Sequence, residues 1–316
     1  MVLIKVPKIK PCLSICEPNT SFVVDDVTIH VLNANHTPGS AMFLFVLKSG
    51  KKILFTGDFR AEPKVIEDTI PFAPIDNLFI DCTYASSGLK IPPRKACLDF
   101  IISKLKEYLP QGYTSIIGTY SIGKEDVVFD VADATAMLVY APETRMKAFK
   151  DLMTAGYRKS ELFTNDKSIA KIHVLSMMDT SAEGALNYAR SSSIQKVVSF
   201  QLTGWSANPY WQSPNIFETN GIRIVSFSVP YSDHSSPDEL ISFVKAVQPV
   251  TVCSITDFTD KAKAKVQNMF LPYLRKSKNK SFIEFYASPP KKAKKIVDES
   301  QNFFTTDSED VPANNL

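Results

Sequence analysis

Hydrophobic and polar positions change rhythm once along the chain. Up to about residue 87 the apolar residues come in short runs, at 21–24, 27–32, 41–47, 53–55 and 78–84, parted by brief polar stretches. Runs this short and this rich in Val, Ile and Phe predict strands. Asp25-Asp26 and Lys48-Ser-Gly-Lys51 between them predict hairpins. The stretch holding Pro63, Pro71 and Pro74 reads as a connection. From about Pro92 helical and strand patterns alternate. Cys97, Leu98, Ile101, Ile102, Leu105 and Leu109 share one face of a helix over 94–109, followed by a buried strand at 115–118 and a helix through Val127, Val128 and Val131. The same alternation predicts strands at 137–140, 171–175 and 196–200 and helices near 142–155 and 182–190. Leu240, Phe243, Val244 and Val247 predict a further helix. Strands at 250–256 and 282–287 then flank a helix from Lys261 to about Leu274. The pattern is that of an α/β protein.

Several polar residues sit where such a fold does chemistry. His36 precedes the 41–47 strand and Asp58 follows the 53–55 strand, so an imidazole and a carboxylate lie just outside the ends of adjacent strands. By spacing alone both are ordinary turns, since one His and one Asp make a weak metal signal. Asp81, near the end of the 78–84 strand, reads alone as a cap or turn residue. In Gly118-Thr-Tyr-Ser-Ile-Gly-Lys-Glu125 a strand, a small-residue turn and a helix start bring Ser121, Gly123 and Lys124 together. Free N–H groups and the helix dipole there suit a phosphate, although a plain helix start fits equally and the P-loop spacing is absent. Ser236 and Glu239 make a capping box with Pro237 in the first turn. His234 then stands immediately before a helix N-terminus, with Ser235 and Ser236 placed beside a phosphate. His173, in an apolar strand, is expected to be structural. Trp205 is either a core plug or the wall of a substrate groove, and core is the expectation.

Composition narrows the setting. With 316 residues and 44% hydrophobic side chains the chain can bury one large core or two modest ones. A net charge of +3 makes any phosphate-binding surface local. The cysteines, 5 in number, contain no C-x-x-C pair, which favours free thiols over disulfides or a cysteine zinc site. No run is long enough to span a membrane, and the start carries no signal-peptide pattern. Pro289-Pro-Lys-Lys-Ala-Lys-Lys295 is similar to a basic nuclear-import signal, which makes the nucleus the expected location, although a solvated Lys-rich tail fits the composition nearly as well.

Ala34-Asn-His-Thr-Pro-Gly-Ser40 and Thr56-Gly-Asp-Phe-Arg60 resemble two metal-ligand motifs of the metallo-β-lactamase fold. Asp81-Cys-Thr-Tyr84, Thr119-Tyr-Ser-Ile-Gly-Lys-Glu125, Thr203-Gly-Trp205 and Pro230-Tyr-Ser-Asp-His-Ser-Ser236 follow in family order and resemble the β-CASP nucleases of DNA cross-link repair and end joining. The resemblance implies an α/β metallo-β-lactamase αββα sandwich, N-terminally incomplete, with an inserted β-CASP domain. The expected division is 1–87 and 202–287 for the sandwich, 88–201 for the insertion and 288–316 for a disordered tail. It implies zinc, one or two ions, with His36, Asp58 and His234 as ligands. Asp58, Asp81 and His234 would be catalytic, and Tyr84, Tyr120, Ser121, Lys124, Thr203, Ser235 and Ser236 would hold substrate phosphate. The family's chemistry is hydrolysis of nucleic-acid phosphodiesters, often 5′ to 3′ on DNA. The expected partner is therefore DNA with a 5′ end, and zinc would polarise the phosphoryl oxygen and activate water. The resemblance puts the family's main H-x-H-x-D-H motif before residue 1, and no H-x-H occurs in this chain. A catalytically dead DNA-binding paralogue or fragment is thus the alternative from another class, and an RNA-processing β-CASP endonuclease the alternative within the enzymes.

Overall fold

The computed structural model describes residues 15–276 except 121, 257 and 258. The expected strand at 282–287 and the basic run at 289–295 lie outside the described residues. The chain up to Arg275 forms one compact unit.

The first sheet is laid down nearly in chain order: β1 (Ser21–Val24), β2 (Val27–Asn33), β3 (Ala41–Val46), β4 (Lys52–Phe55) and β5 (Asn77–Ile80). β1 to β4 pair antiparallel, and β5 joins β4 in parallel. β2 and β4 both oppose β3, so β2, β4 and β5 end on one edge of the sheet. Alternate residues such as Leu44, Leu54 and Leu78 form a buried layer with Val65, Phe243 and Phe270. Those three come from α1 (Pro63–Thr69) and from two later helices that cover the same face.

The second sheet is mostly parallel. It contains β6 (Thr114–Thr119), β7 (Val139–Tyr140), β8 (Phe163–Thr164), β9 (Ile172–Ser176), β10 (Lys196–Leu202), β11 (Asn215–Thr219) and β12 (Ile222–Val229), in the order β11-β12-β10-β6-β9-β7-β8. The helices α2 (Arg94–Tyr108), α3 (Glu125–Thr135) and α4 (Glu143–Thr154) bury Ile101, Val128 and Phe149 in one cluster with Ile117, Val198 and Phe227 of the sheet. On the opposite face α5 (Ala182–Ser191) packs Ala185 and Ala189 against Ile116 and Val197. Helices on both faces of the sheet bury a central strand on both sides, as the unbroken burial of β6 shows. The chain returns through α6 (Pro237–Val247), β13 (Thr251–Ser254) and α7 (Asp260–Phe270), with β13 parallel to β5. The fold class is the expected one, mixed α/β with two multi-stranded sheets.

Two stretches differ from the sequence reading. Residues 63–69 are helical because Pro63 occupies the first turn, where its missing N–H is not needed. The β11–β12 hairpin, which the apolar pattern left unassigned, turns at Asn220-Gly221, both with positive φ. Asn-Gly is a strong hairpin signal, and it outweighs the weak alternation on either side.

Candidate metal centre

The carboxyl ends of the two sheets meet, and the site lies where they meet. From the first sheet come His36 after β2, Asp58 after β4 and Asp81 after β5. From the second come Tyr120 and Lys124 after β6, Thr203 to Trp205 after β10, and Tyr231 to His234 after β12. Chain ends at one edge are close in space yet far apart in sequence, which is how one cluster gathers residues from 36 to 234.

One ligand atom from each of His36, Asp58 and His234 lies within 4.8 Å of the other two. The two imidazole rings are 4.8 Å apart between centroids. His234 Nδ1 is 2.6 Å from Asp81 Oδ2. The other oxygen of Asp81 accepts from the Thr83 amide at 2.9 Å and the Thr83 hydroxyl at 2.6 Å. Burial by itself would raise the Asp81 carboxyl, but the hydrogen bond and charge of His234 together with the two Thr83 bonds outweigh it and hold the group below its usual range. Burial likewise lowers His234, and the hydrogen bond and charge of Asp81 carry it above its ordinary value. His36 moves the other way, lowered by burial and then by the neighbouring His234. An imidazole whose Nδ1 is fixed on a buried carboxylate presents Nε2 outward in a set orientation. Two imidazoles and one carboxylate at this spacing fit a divalent metal ion.

The frame around the cluster is ionic and buried. The fully buried Arg60 donates to Ser232 O at 2.6 Å, Pro92 O at 3.0 Å and Glu239 Oε1 at 3.2 Å. Arg94, from the first turn of α2, donates to both oxygens of Glu62 at 2.9 and 3.1 Å and to Asn35 O at 3.2 Å. It also lies 3.5 Å from Asp233. Arg94 therefore touches the residues immediately before both imidazoles. Asn35 holds a positive φ of 54°, a strained setting that this network over-determines. Sequence reading missed Arg60, Glu62 and Arg94, because nothing in their spacing shows that they converge.

The residues expected to hold phosphate divide into two groups. Ser235 Oγ accepts from Ala61 N at 3.0 Å and donates to Phe59 O at 3.1 Å, and Ser236 is spent on the capping box with Glu239. Thr203 Oγ1 accepts from Trp205 N at 3.4 Å and caps the short turn Gly204–Ser206. Tyr84 is buried, with its hydroxyl bonded to Ser232. Lys124 is different. The residue is buried, 7% exposed, and its ammonium lies 4.4 Å from the centre of the Tyr120 ring. Burial depresses it, with partial compensation from Asp233 and Glu125. It makes no ion pair among the described residues. A side chain built at Gly123 would stand 3.8 Å from both Asp233 Oδ2 and Thr37, so this loop abuts the metal cluster. Ser121 lies outside the described residues. His173 is structural as expected, 2.8 Å from Tyr188 Oη and 3.2 Å from Ala170 O. Trp205 corrects the expectation of a core residue: it is 62% exposed and leans on Tyr84, because the turn that carries it ends outside the packed layer.

With this geometry in place, likeness to known proteins is decisive. The family model described as DNA repair metallo-beta-lactamase matches residues 157–260. The chain belongs to the DNA-repair metallo-β-lactamase family. It is 31% identical over 236 residues to the DNA cross-link repair 1A protein of Mus musculus, covering 73% of this chain and 23% of that protein. It is 29% identical over 233 residues to the 5′ exonuclease Apollo of Danio rerio, covering 72% of this chain and 36% of that protein. The chain thus spans between about a quarter and a third of the length of these two relatives. Among solved structures, a protein of unknown function from Enterococcus faecalis V583 superposes with a TM-score of 0.52 at 11% identity, over 76% of this chain and 60% of that one, which bears on the fold alone. Among the described residues no helix is long and apolar enough to cross a membrane.

Proposed function

We propose that the protein is a DNA-repair nuclease that hydrolyses DNA phosphodiesters, with His36, Asp58 and His234 holding zinc and a 5′ end as the preferred substrate. The observation that carries this reading is the convergence of those three donors from separate segments, with Asp81 orienting His234. Zinc held there supplies Lewis-acid polarisation of a phosphoryl oxygen and a lowered pKa for water. The remaining work falls to the protein. Asp81 fixes His234 and holds the proton on Nδ1. Lys124, which has no ion pair among the described residues, offers its cation to a phosphate beside the cluster, and the Tyr120 ring supports it. Arg60 and Arg94 keep the two imidazole-bearing loops at a fixed separation. A repair role places the protein with nuclear DNA.

The test is hydrolysis of a 5′-phosphorylated single-stranded DNA by zinc-loaded protein. Trimming from the 5′ end, abolished in Asp58→Ala and His234→Ala with the fold retained, is the expected result. Undiminished activity in both variants overturns the metal site. Tight DNA binding without cleavage turns the reading towards a catalytically inactive binding module, and preferential cleavage of RNA towards an RNA-processing enzyme.

A further inference from the structure

A row of aromatic rings runs from the metal cluster to the surface. The His36 and His234 rings are 4.8 Å apart, His234 and Tyr84 are 6.2 Å apart, and Tyr84 and Trp205 are 4.7 Å apart. The first three are wholly or partly buried, but the indole at the outer end is 62% exposed. An indole left in water forfeits the transfer energy that burial gives its neighbours. This one is also held rigidly. A Cβ on Gly204 would lie 2.6 Å from Tyr84 Oη, so only glycine lets the main chain before Trp205 settle onto that ring. Thr203 closes the turn by accepting from the Trp205 amide. The other tryptophan, Trp211, packs against the core beside Phe100, so the exposure is particular to Trp205.

We propose that Trp205 is a stacking platform for one unpaired nucleobase, adjacent to the phosphate at the His36, Asp58 and His234 cluster. The inference rests on the phosphodiester reading above and adds to it the class of substrate, a strand whose base is free of its partner. A base inside a duplex already has neighbours on both faces, and a single-stranded or frayed end offers a free one. Continuity with the cluster through Tyr84 sets the occupant's chemistry. A group held against the indole is one ring, Tyr84, away from His234, and the loop that carries Lys124 abuts the same cluster. A base with its phosphate supplies both the ring face and the negative charge.

The experiment measures affinity of the full-length chain for a 5′-phosphorylated oligothymidylate, under chelator so that nothing is cleaved. It is compared with a set in which each of the first three nucleosides in turn is abasic. Trp205→Ala should weaken binding of the intact oligonucleotide by about 5- to 150-fold, the span for losing one base–aromatic stack. One abasic oligonucleotide should bind the unsubstituted protein equally weakly and lose nothing further on Trp205→Ala. Trp205→Phe should restore most of the affinity, because a smaller ring still stacks. Equal weakening of every oligonucleotide by Trp205→Ala, or no weakening of any, overturns the platform while leaving the phosphodiester reading standing. Failure of the unsubstituted protein to bind any of them overturns both.

Discussion

Two helices begin beside the metal cluster, and their first turns handle charge in opposite ways. At the start of α6, Ser236 Oγ accepts from Glu239 N at 3.2 Å and Ser236 N donates to Glu239 Oε2 at 2.7 Å. The remaining oxygen of Glu239 takes Arg60. Charge there is balanced inside the protein, and the result is a fixed anchor for His234. At the start of α3, Lys124 has a positive φ of 67° and caps nothing with its side chain. Glu125 Oε1 accepts from Gly123 N at 2.8 Å, while its Oε2 is buried with no partner among the described residues. Burial pushes the Glu125 carboxyl up, the Gly123 bond offsetting part of the shift. One helix start spends its charges on the fold, and the other keeps, among the described residues, an ammonium with no ion pair and a buried carboxyl with one oxygen unbonded. Two N-termini of equal dipole thus serve different ends, and it is the accounting of their hydrogen bonds that separates them.

That contrast can be broken most severely at Arg60. Arg60→Leu strands Glu239 and frees the Ser232 carbonyl, and breaking a buried pair from one side costs about 3–5 kcal/mol. Denaturant unfolding should show a loss of that size, and an unchanged midpoint would mean that the α6 anchor does not depend on the guanidinium. Next in size is Ser236→Ala, which should cost about 1 kcal/mol through the lost cap and leave DNA affinity untouched. A change in affinity there would move α6 into the substrate site. Lys124→Ala should do the reverse. Stability should hold or rise, because a depressed ammonium leaves its buried position, while DNA affinity falls and the slope of log affinity against log salt shrinks by about 0.7 to 0.9. An unaltered slope would remove Lys124 from the interface.

The smallest effect belongs to Glu125→Gln. The folded pKa of Glu125 is raised, so the carboxyl's contribution is full below the unfolded value and is lost as pH rises through the folded one. The variant should therefore melt no higher than the parent at pH 4 and higher at pH 8. A gap that does not depend on pH would show that Glu125 is not penalised by its burial.

The same contrast shows what a sequence can reveal. The α6 start was legible because Ser236, Pro237 and Glu239 are neighbours in the chain, and a capping box is a local device. His36, Asp58, Asp81 and His234 could be picked out by the wording of their motifs, and they do lie together. The helices of the second half were legible from their apolar period, whereas the helix at Pro63 was hidden by a proline that reads as a breaker. The pattern of ions about Arg60 and Arg94 was not legible, since the hydrogen-bond partners of the two guanidinium groups lie 32 to 179 residues away. Trp205 was misjudged for a related reason. Composition favours burying a tryptophan, and only the placement of Tyr84 and Gly204 decides that this one stays outside.

The donors His36, Asp58 and His234 lie within 4.8 Å of one another and stand or fall together as one metal site. Its most direct test is the zinc content of the purified protein and of His36→Ala, Asp58→Ala and His234→Ala, each checked for retained fold by circular dichroism. About one zinc ion per chain is expected in the parent, and none in any of the three variants. Zinc retained at the parental level in any folded variant would contradict that expectation.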